Sequence, residues 1–496
     1  MELYEKIFDI GLQRGFFCPS AEIYGSLAGF YDYGPIGLKI INKMKELWRE
    51  KFLNNENFFE IKSSLLLPKK VLQASGHIKN FFDPVVFCKK EKKAFRADHL
   101  LALNGEFHHP TTNLEELGEK LKKLKIKCPD CKGELSEPIT FNLMFSTKLG
   151  TINQEEVFLR PETAQGIFLN FKRIFLQNGS KLPLGIGQIG PSFRNEISPR
   201  KGLIRLREFE QMELEYFFNP EVQKFNGFES ISSKNLTFKF QDNNKKQMSL
   251  KEAIEQKIIP NEIFATFLFW QQELFFSWGI DPTRFYFAFI DKKELPHYSV
   301  CNVDAEVDTS YGGIELSGTS YRTNFDLSSH QQFSKENLEV LDQTEGKKII
   351  PHVIEPSIGL DRSFYAVLEH CYRPKSKEKD WEWFAFPTSV SPYLIAIFPL
   401  MKKDGLDELA REVYLLLKQK KMDCYYSETG SIGKRYARAD EIGVPYCLTI
   451  DYESLDKKDL TIRFRDDGKQ QRIKMDEIVP KVLWLKENNI TSLNKC

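Results

Sequence analysis

Two short segments carry side chains suited to handling phosphate. In FRNE, which begins at Phe193, a strand would set Arg194 and Glu196 on one face, because side chains alternate from residue to residue. Farther along, Phe209, Gln211 and Glu213 share a face in the same way, which lays a flat ring, an amide and a carboxylate beside that pair. Such a set suits a nucleotide: a guanidinium for phosphate, a ring for a base and a carboxylate for an amine. The plainer reading is a solvated hairpin laced with ion pairs. The second segment, IEPSIGLDRSFYAVLEH from Ile354, reads as a strand end followed by a helix with Leu360, Phe364, Val367 and Leu368 turned inward. Arg362 falls in its first turn, where an anion would meet free backbone amides and the positive end of the helix dipole as well as the guanidinium. The plainer reading there pairs Arg362 with Asp361 or Glu355.

These groups need elements to hold them. After Tyr33, Gly34 and Pro35, the spacing of Ile40, Met44, Leu47, Trp48 and Phe52 predicts an amphipathic helix. A second helix is predicted from about Pro161, with Ile167, Phe168, Phe171, Ile174 and Phe175 on one face and Asn178-Gly179 as its stop. From Gly185 to Phe218 the period changes to two around the polar loop ISPRKG, which predicts an antiparallel hairpin. Two stretches interrupt this pattern: a Lys-rich one at about 83–138, and one at about 221–280 that reads as an insertion with helices of its own. A charged stretch after Arg373 reads as a linker, and strand and helix patterns resume from Pro392.

A net charge of +1 over 496 residues excludes a protein given over wholly to coating nucleic acid, so any such contact must come from local patches. The first fifteen residues lack the basic start and apolar run of a secretory signal, and no apolar run approaches the ~18 residues of a membrane span. Nine cysteines without a framework of close pairs suit a reducing compartment, and a cytoplasmic location is expected. LGIGQIG matches Gly-x-Gly-x-x-Gly, but Pro199 and the stripeless SFRNEISPRKG argue against the helix that a nicotinamide-binding fold requires, so an oxidoreductase is a distant alternative.

The joint occurrence of YDYGPIGLKIINKMKELW, FRNEISPRKGLIRLREFEQMELEYF and PHVIEPSIGLDR, in that order, resembles the three motifs of class II aminoacyl-tRNA synthetases. The second and third, with FRADHL, RPETAQGIF, GIELSGTSYRTNFDL and GSIGKRYARADEIGVPYC, look like the glycyl-tRNA synthetase branch, nearly end to end. The resemblance implies an α+β fold: an antiparallel sheet flanked by helices over 1–82, 139–220 and 281–385, a zinc-ribbon-like insertion at 83–138, a second insertion at 221–280, and an α/β anticodon-binding domain at 392–496. It implies a homodimer that activates glycine with ATP and passes it to the 3′ end of tRNA(Gly). A noncatalytic tRNA-binding paralogue would keep the fold but lose the phosphate-binding arginines, whereas Arg194, Arg322 and Arg362 are all here.

Carried over by position, Arg194, Glu196 and Arg362 are the implied catalytic residues, with Arg362 on the γ-phosphate and Phe209 stacked on adenine. Asn195, Leu206, Arg207, Gln211, Leu316 and Gly359 complete the implied ATP site, and Glu315 is the implied ligand of Mg²⁺. Glu162, Glu213 and Ser357 would surround the glycine ammonium, with Arg96, Arg322 and Glu355 lining the same site. Cys128 and Cys131 could form half of a zinc site with Cys88 as third ligand; Glu91 stands where relatives with this ribbon carry a further cysteine, and Glu91, His108 or His109 could be the fourth. The other reading is a hydrogen-bonded turn without metal. Near Arg322 the family more typically has Asp at position 324, which here is Asn, so one electrostatic contact is expected to be weaker. Lys434, Arg435, Arg438, Arg463 and Arg465 are available for tRNA phosphates.

Overall fold

The computed structural model describes residues 2–105, 113–152, 154–197, 199, 202–290, 299–343 and 345–495. A nine-stranded sheet runs from Lys245–Ser249 through Asn235–Lys239, Phe285–Phe289, Cys301–Thr309, Gly312–Thr323, His352–Gly359, Glu208–Phe218 and Leu184–Phe193 to Phe58–Glu60. Neighbours pair antiparallel except where Phe58–Glu60 meets Leu184–Phe193 and where Asn235–Lys239 meets Phe285–Phe289.

Alternation decides what each sheet face does. On Glu208–Phe218, Met212, Leu214, Tyr216 and Phe218 belong to the main core, together with Ile40, Met44 and Trp48 of the Pro35–Trp48 helix and Phe264 and Phe267 of the Glu262–Ser277 helix. The intervening Phe209, Gln211 and Glu213 face a cleft, and Phe217 on that side packs on Phe168 and Phe171 of the Ala164–Gln177 helix. That helix starts later than the position of Pro161 suggested, but its predicted stripe is buried as expected.

The stretch 221–280 is not set apart. Asn235–Lys239 and Lys245–Ser249 extend the edge of the main sheet, and Glu262–Ser277 packs in the same apolar core. LGIGQIG is the strand Leu184–Phe193, not a phosphate loop. Its glycines are explained by crowding: a Cβ at Gly185 would strike the Phe58 ring, one at Gly187 the side chains of Leu53 and Trp48, and one at Gly190 the Arg160 guanidinium.

Residues 395–474 form a five-stranded sheet in the order Cys424–Tyr426, Ile395–Pro399, Tyr446–Ile450, Asp459–Phe464, Gln470–Lys474, backed by Leu406–Gln419 and Ile432–Glu441. Lys39 and Lys43 reach across to Asp423 at 2.7 and 3.3 Å, and Arg14 to Glu441 at 2.7 Å. Three of the five cations expected to meet tRNA are internal. Arg435 donates to the carbonyls of Pro399 and Leu400, Arg465 to those of Phe386 and Gly443, and Arg463 grips Asp440 through both terminal nitrogens at 2.8 and 3.0 Å. Lys379, from the stretch read as a linker, is buried on the same Asp440 at 3.0 Å.

Removing one member of such a cluster strands its partners. Asp440→Ala should cost about 3–5 kcal/mol, seen as an earlier urea transition, while Lys434→Ala, at an exposed position, should leave the transition in place.

Candidate active site

The cleft encloses about 330 Å³ above the centre of the nine-stranded sheet. Of the residues singled out in sequence, Arg194, Glu196, Leu206, Phe209, Gln211, Glu315, Leu316, Gly359 and Arg362 line it, as do Glu162, Glu213, Glu355 and Ser357. Strands from distant parts of the chain thus meet at one opening.

At the exposed end, Arg362 lies in the first turn of Leu360–Cys371, its Nε donating to the Ile204 carbonyl at 3.0 Å and its Nη1 to Glu315 Oε2 at 3.1 Å. Asp361 is not its partner. That carboxylate accepts from the Tyr33 hydroxyl and, at 2.7 Å, from the Glu210 backbone N–H, and burial pushes it up to about 6. Arg194 does not lie on a strand as expected, because the strand ends at Phe193. It reaches the cleft from the following loop, its Nε bonded to the Pro161 carbonyl at 3.1 Å and its guanidinium between the rings of Phe81 and Phe209, 5.4 and 5.2 Å from their centres. Glu196 holds Arg205 at 2.6 Å.

Glu315 reaches the cleft because of a bulge. Ala305 pairs with Ser317 but Glu306 pairs with Glu315, so Leu316 is an extra residue on its strand. The extra residue inverts the alternation, and Glu315 joins Gly318 and Ser320 on one wall. Asp304 lies on the neighbouring strand, its carboxyl held well above the usual range by burial and by the charges of Glu315 and Glu306. Acids crowded in this way, against one guanidinium at the surface, fit an oxygen-ligated divalent cation.

The inner end is a recess of buried acids, Glu162, Glu213 and Glu355. Glu213 accepts from the Thr163 N–H at 3.0 Å, from Gln211 at 2.8 Å and from the Ser357 hydroxyl at 2.7 Å, yet burial and the nearby Glu162 raise its carboxyl above the usual range. Glu162 moves the other way: burial raises it, but His77, Arg322 and Gln165 together outweigh burial and hold it low. Arg322 lies behind this wall, 1 % exposed, bonded twice to Asp326 at 2.7 and 2.8 Å and once to Glu355 at 2.8 Å. Its pairing comes from Asp326 and Glu355, so Asn324 instead of Asp leaves this arginine well held.

Four expected site residues do not reach the cleft wall. Arg322 supports it from behind, while Arg96 is occupied by Asp83 and Asp98 at 3.0 and 2.6 Å. Arg207 braces the loop by donating to the carbonyls of Glu196 and Ala28, and the Asn195 N–H is bonded to the Leu143 carbonyl. Sequence reading missed Asn302, Asp304, Arg205, Ser317 and Ser320. Asn302 and Asp304 carried a signal, since they alternate with buried Val303 and Ala305 on one strand.

Away from the cleft, the sulfurs of Cys88, Cys128 and Cys131 lie within 4.8 Å of one another, and Cys88 and Cys131 are 3.4 Å apart. Tetrahedral zinc with Zn–S near 2.3 Å sets its sulfurs about 3.8 Å apart, so the trio fits three corners. A backbone N–H from Glu91 to the Cys88 sulfur lowers that thiol's pKa. The Glu91 carboxylate pairs with Lys93 at 3.1 Å, and His108 and His109 lie outside the described residues.

Residues 145–371 match a family described as the tRNA synthetase class II core domain (G, H, P, S and T), and residues 395–485 match an anticodon binding domain. A glycine–tRNA ligase of Methanococcus maripaludis strain S2 is 38% identical, over 97% of this chain and 99% of its own length. The chain belongs to the glycine–tRNA ligase family. Other members of that family from Methanocaldococcus jannaschii and Pyrococcus furiosus are 36% and 35% identical, each covering at least 97% of this chain and 98% of its own. In fold, this family member is similar to a crystal structure of prolyl-tRNA synthetase from Cryptosporidium parvum complexed with halofuginone and AMPPNP, with a TM-score of 0.60 at 13% identity over 97% of this chain and 77% of the other. Among the described residues, no helix is long and apolar enough to cross a membrane.

Proposed function

We propose that the chain activates glycine with ATP and transfers the glycyl group to tRNA(Gly), with both steps in this cleft. The observation that carries the reading is convergence: Arg194 and Arg362, far apart in sequence, open onto one cleft whose other end is a recess of acids. Attack of the glycine carboxylate on the α-phosphorus brings two anions together, so their charge must be neutralised while their geometry is fixed. Arg194 and Arg362 do this for the phosphates, and Phe209 takes the adenine once the Arg194 guanidinium leaves its ring. Glu162, Glu213 and Ser357 hold the ammonium, which fixes the carboxylate at the other end of the molecule. Mg²⁺, held by Glu315 and Asp304, would supply further charge neutralisation on the phosphates.

Glycine-dependent exchange of labelled pyrophosphate into ATP tests this reading. Exchange with glycine is expected; no exchange would make the chain a binding protein, and exchange driven by another amino acid would refute the choice of glycine.

The C-terminal unit, about 392–496, takes the anticodon arm through exposed cations such as Lys434 and Arg438, and a cytoplasmic homodimer is the working state. The cysteine trio holds zinc. Metal analysis should find one zinc per chain, and Cys128→Ser should lose it and destabilise 83–138 with little change in pyrophosphate exchange. Metal-free protein that keeps its stability against chelators would return the knuckle to a hydrogen-bonded turn.

A further inference from the structure

One acid beneath the recess has no role in the mechanism above. Glu215 is fully buried, and neither of its carboxyl oxygens has a hydrogen-bond partner. It lies on the same strand face as Gln211 and Glu213. Because Glu213 pairs with Ser357 and Tyr216 with Ile354, the register sets Glu215 opposite Glu355. Directly opposed like charges destabilise a strand pair, and an unpartnered buried carboxylate is costly.

The surroundings do not neutralise both acids. Arg322, from the next strand, divides its donors between Asp326 and Glu355 and gives none to Glu215. Glu213 adds a like charge from the same strand, and Glu162, tied to His77 at 3.5 Å, adds another to Glu355. His330, on the Asp326 helix, is kept neutral by burial and bonds to Gln165 at 2.8 Å.

We propose that Glu215 is a positioning residue for glycine: it shares one proton with Glu355 in the empty recess, and the pair releases that proton to solvent as the glycine ammonium arrives. One cation replaces another, so the buried charge stays constant while a carboxylate becomes available to the amine. Burial, then the Glu355 charge, hold the Glu215 carboxyl well above the usual range, and burial pushes Glu355 up to about 8. A proton present at neutral pH in the free enzyme and absent from the complex makes glycine bind more tightly as pH rises. The inference rests on the ammonium lying against Glu162, Glu213 and Ser357.

The test is the KM for glycine in pyrophosphate exchange between about pH 6.5 and 8.5, for wild type, Glu215→Gln and Glu215→Asp. For the wild type, KM should fall as pH rises, by up to about tenfold per unit, with the KM for ATP level. In Glu215→Gln the slope should weaken and move to lower pH, because Glu355 keeps its burial but loses the acid directly opposite it; Glu215→Asp should restore the wild-type slope. Calorimetry of glycine binding in two buffers of different ionisation enthalpy should find a proton released by wild type near neutral pH and a smaller fraction of one by Glu215→Gln.

Equal pH slopes in wild type and Glu215→Gln, or no proton release by wild type, would overturn the proposal. If neither variant folds, the wild-type calorimetry decides. Glu213→Gln separates the two readings: it should raise the KM for glycine at every pH and keep the slope, and an unchanged KM would fault the placement of glycine instead.

Discussion

Arg362→Ala should slow glycine-dependent pyrophosphate exchange by an amount equivalent to about 2–4 kcal/mol of transition-state stabilisation, the usual worth of a preorganised donor on developing charge. The side chain is well placed for this: it sits in the first turn of a helix whose free amides point the same way, and its terminal nitrogen is held by Glu315 at 3.1 Å, at the mouth of the cleft. The KM for glycine should barely move, since the recess lies at the other end. Arg362→Lys should recover only a small part of the rate, because an ammonium does not reproduce the planar fork of a guanidinium. Exchange at the wild-type rate in Arg362→Ala would remove this residue from the reaction.

Arg322→Ala should damage the fold as well as the recess. Its guanidinium is the shared partner of Asp326 and Glu355, and both acids are buried. Removing it leaves uncompensated carboxylates, at an expected cost of about 3–5 kcal/mol near neutral pH. The sign of the pH dependence follows. Arg322 now holds the Glu355 carboxyl down against burial, so its loss lets Glu355 titrate at higher pH in the variant, and protonation then removes that uncompensated charge. The gap in urea midpoint between wild type and variant should therefore narrow as pH falls. A gap that widens toward acid would mean that the arginine does not balance these acids.

Spacing made much of the scaffold legible. The stripes of the Ala164–Gln177 and Leu360–Cys371 helices are buried as their periods required, as are Ile40, Met44 and Trp48 of Pro35–Trp48 with Leu47 half-buried beside them, and the hairpin that carries Phe209, Gln211 and Glu213 pairs in the expected sense. What escaped was decided by partners remote in sequence. Arg435, Arg463 and Arg465 read as surface cations because nothing local announces the carbonyls and the aspartate that claim them. Arg96 looked like a substrate ligand until Asp83 and Asp98 closed on it. The stretch 221–280 read as an insertion with helices of its own, yet edge strands tolerate polar residues, and Asn235–Lys239 and Lys245–Ser249 extend the main sheet. Arg194 reached its expected place by another route, from a loop and not from a strand.

The unpaired Leu316 also bears on how this part of the chain can vary. Between Glu315 and Ser320 the bulge and the count of residues compensate for each other: ironing out the bulge at full length would swing Glu315 to the far side of the sheet, whereas excising one residue would restore strict alternation with Glu315 still opposite Glu306 and on the cleft face. Hydropathy would scarcely register such a deletion, and the architecture would survive it. The acid would keep its place at the cleft, so a chain one residue shorter here should stay active, and the harmful change is a slip of Gly312–Glu315 by one position at unchanged length.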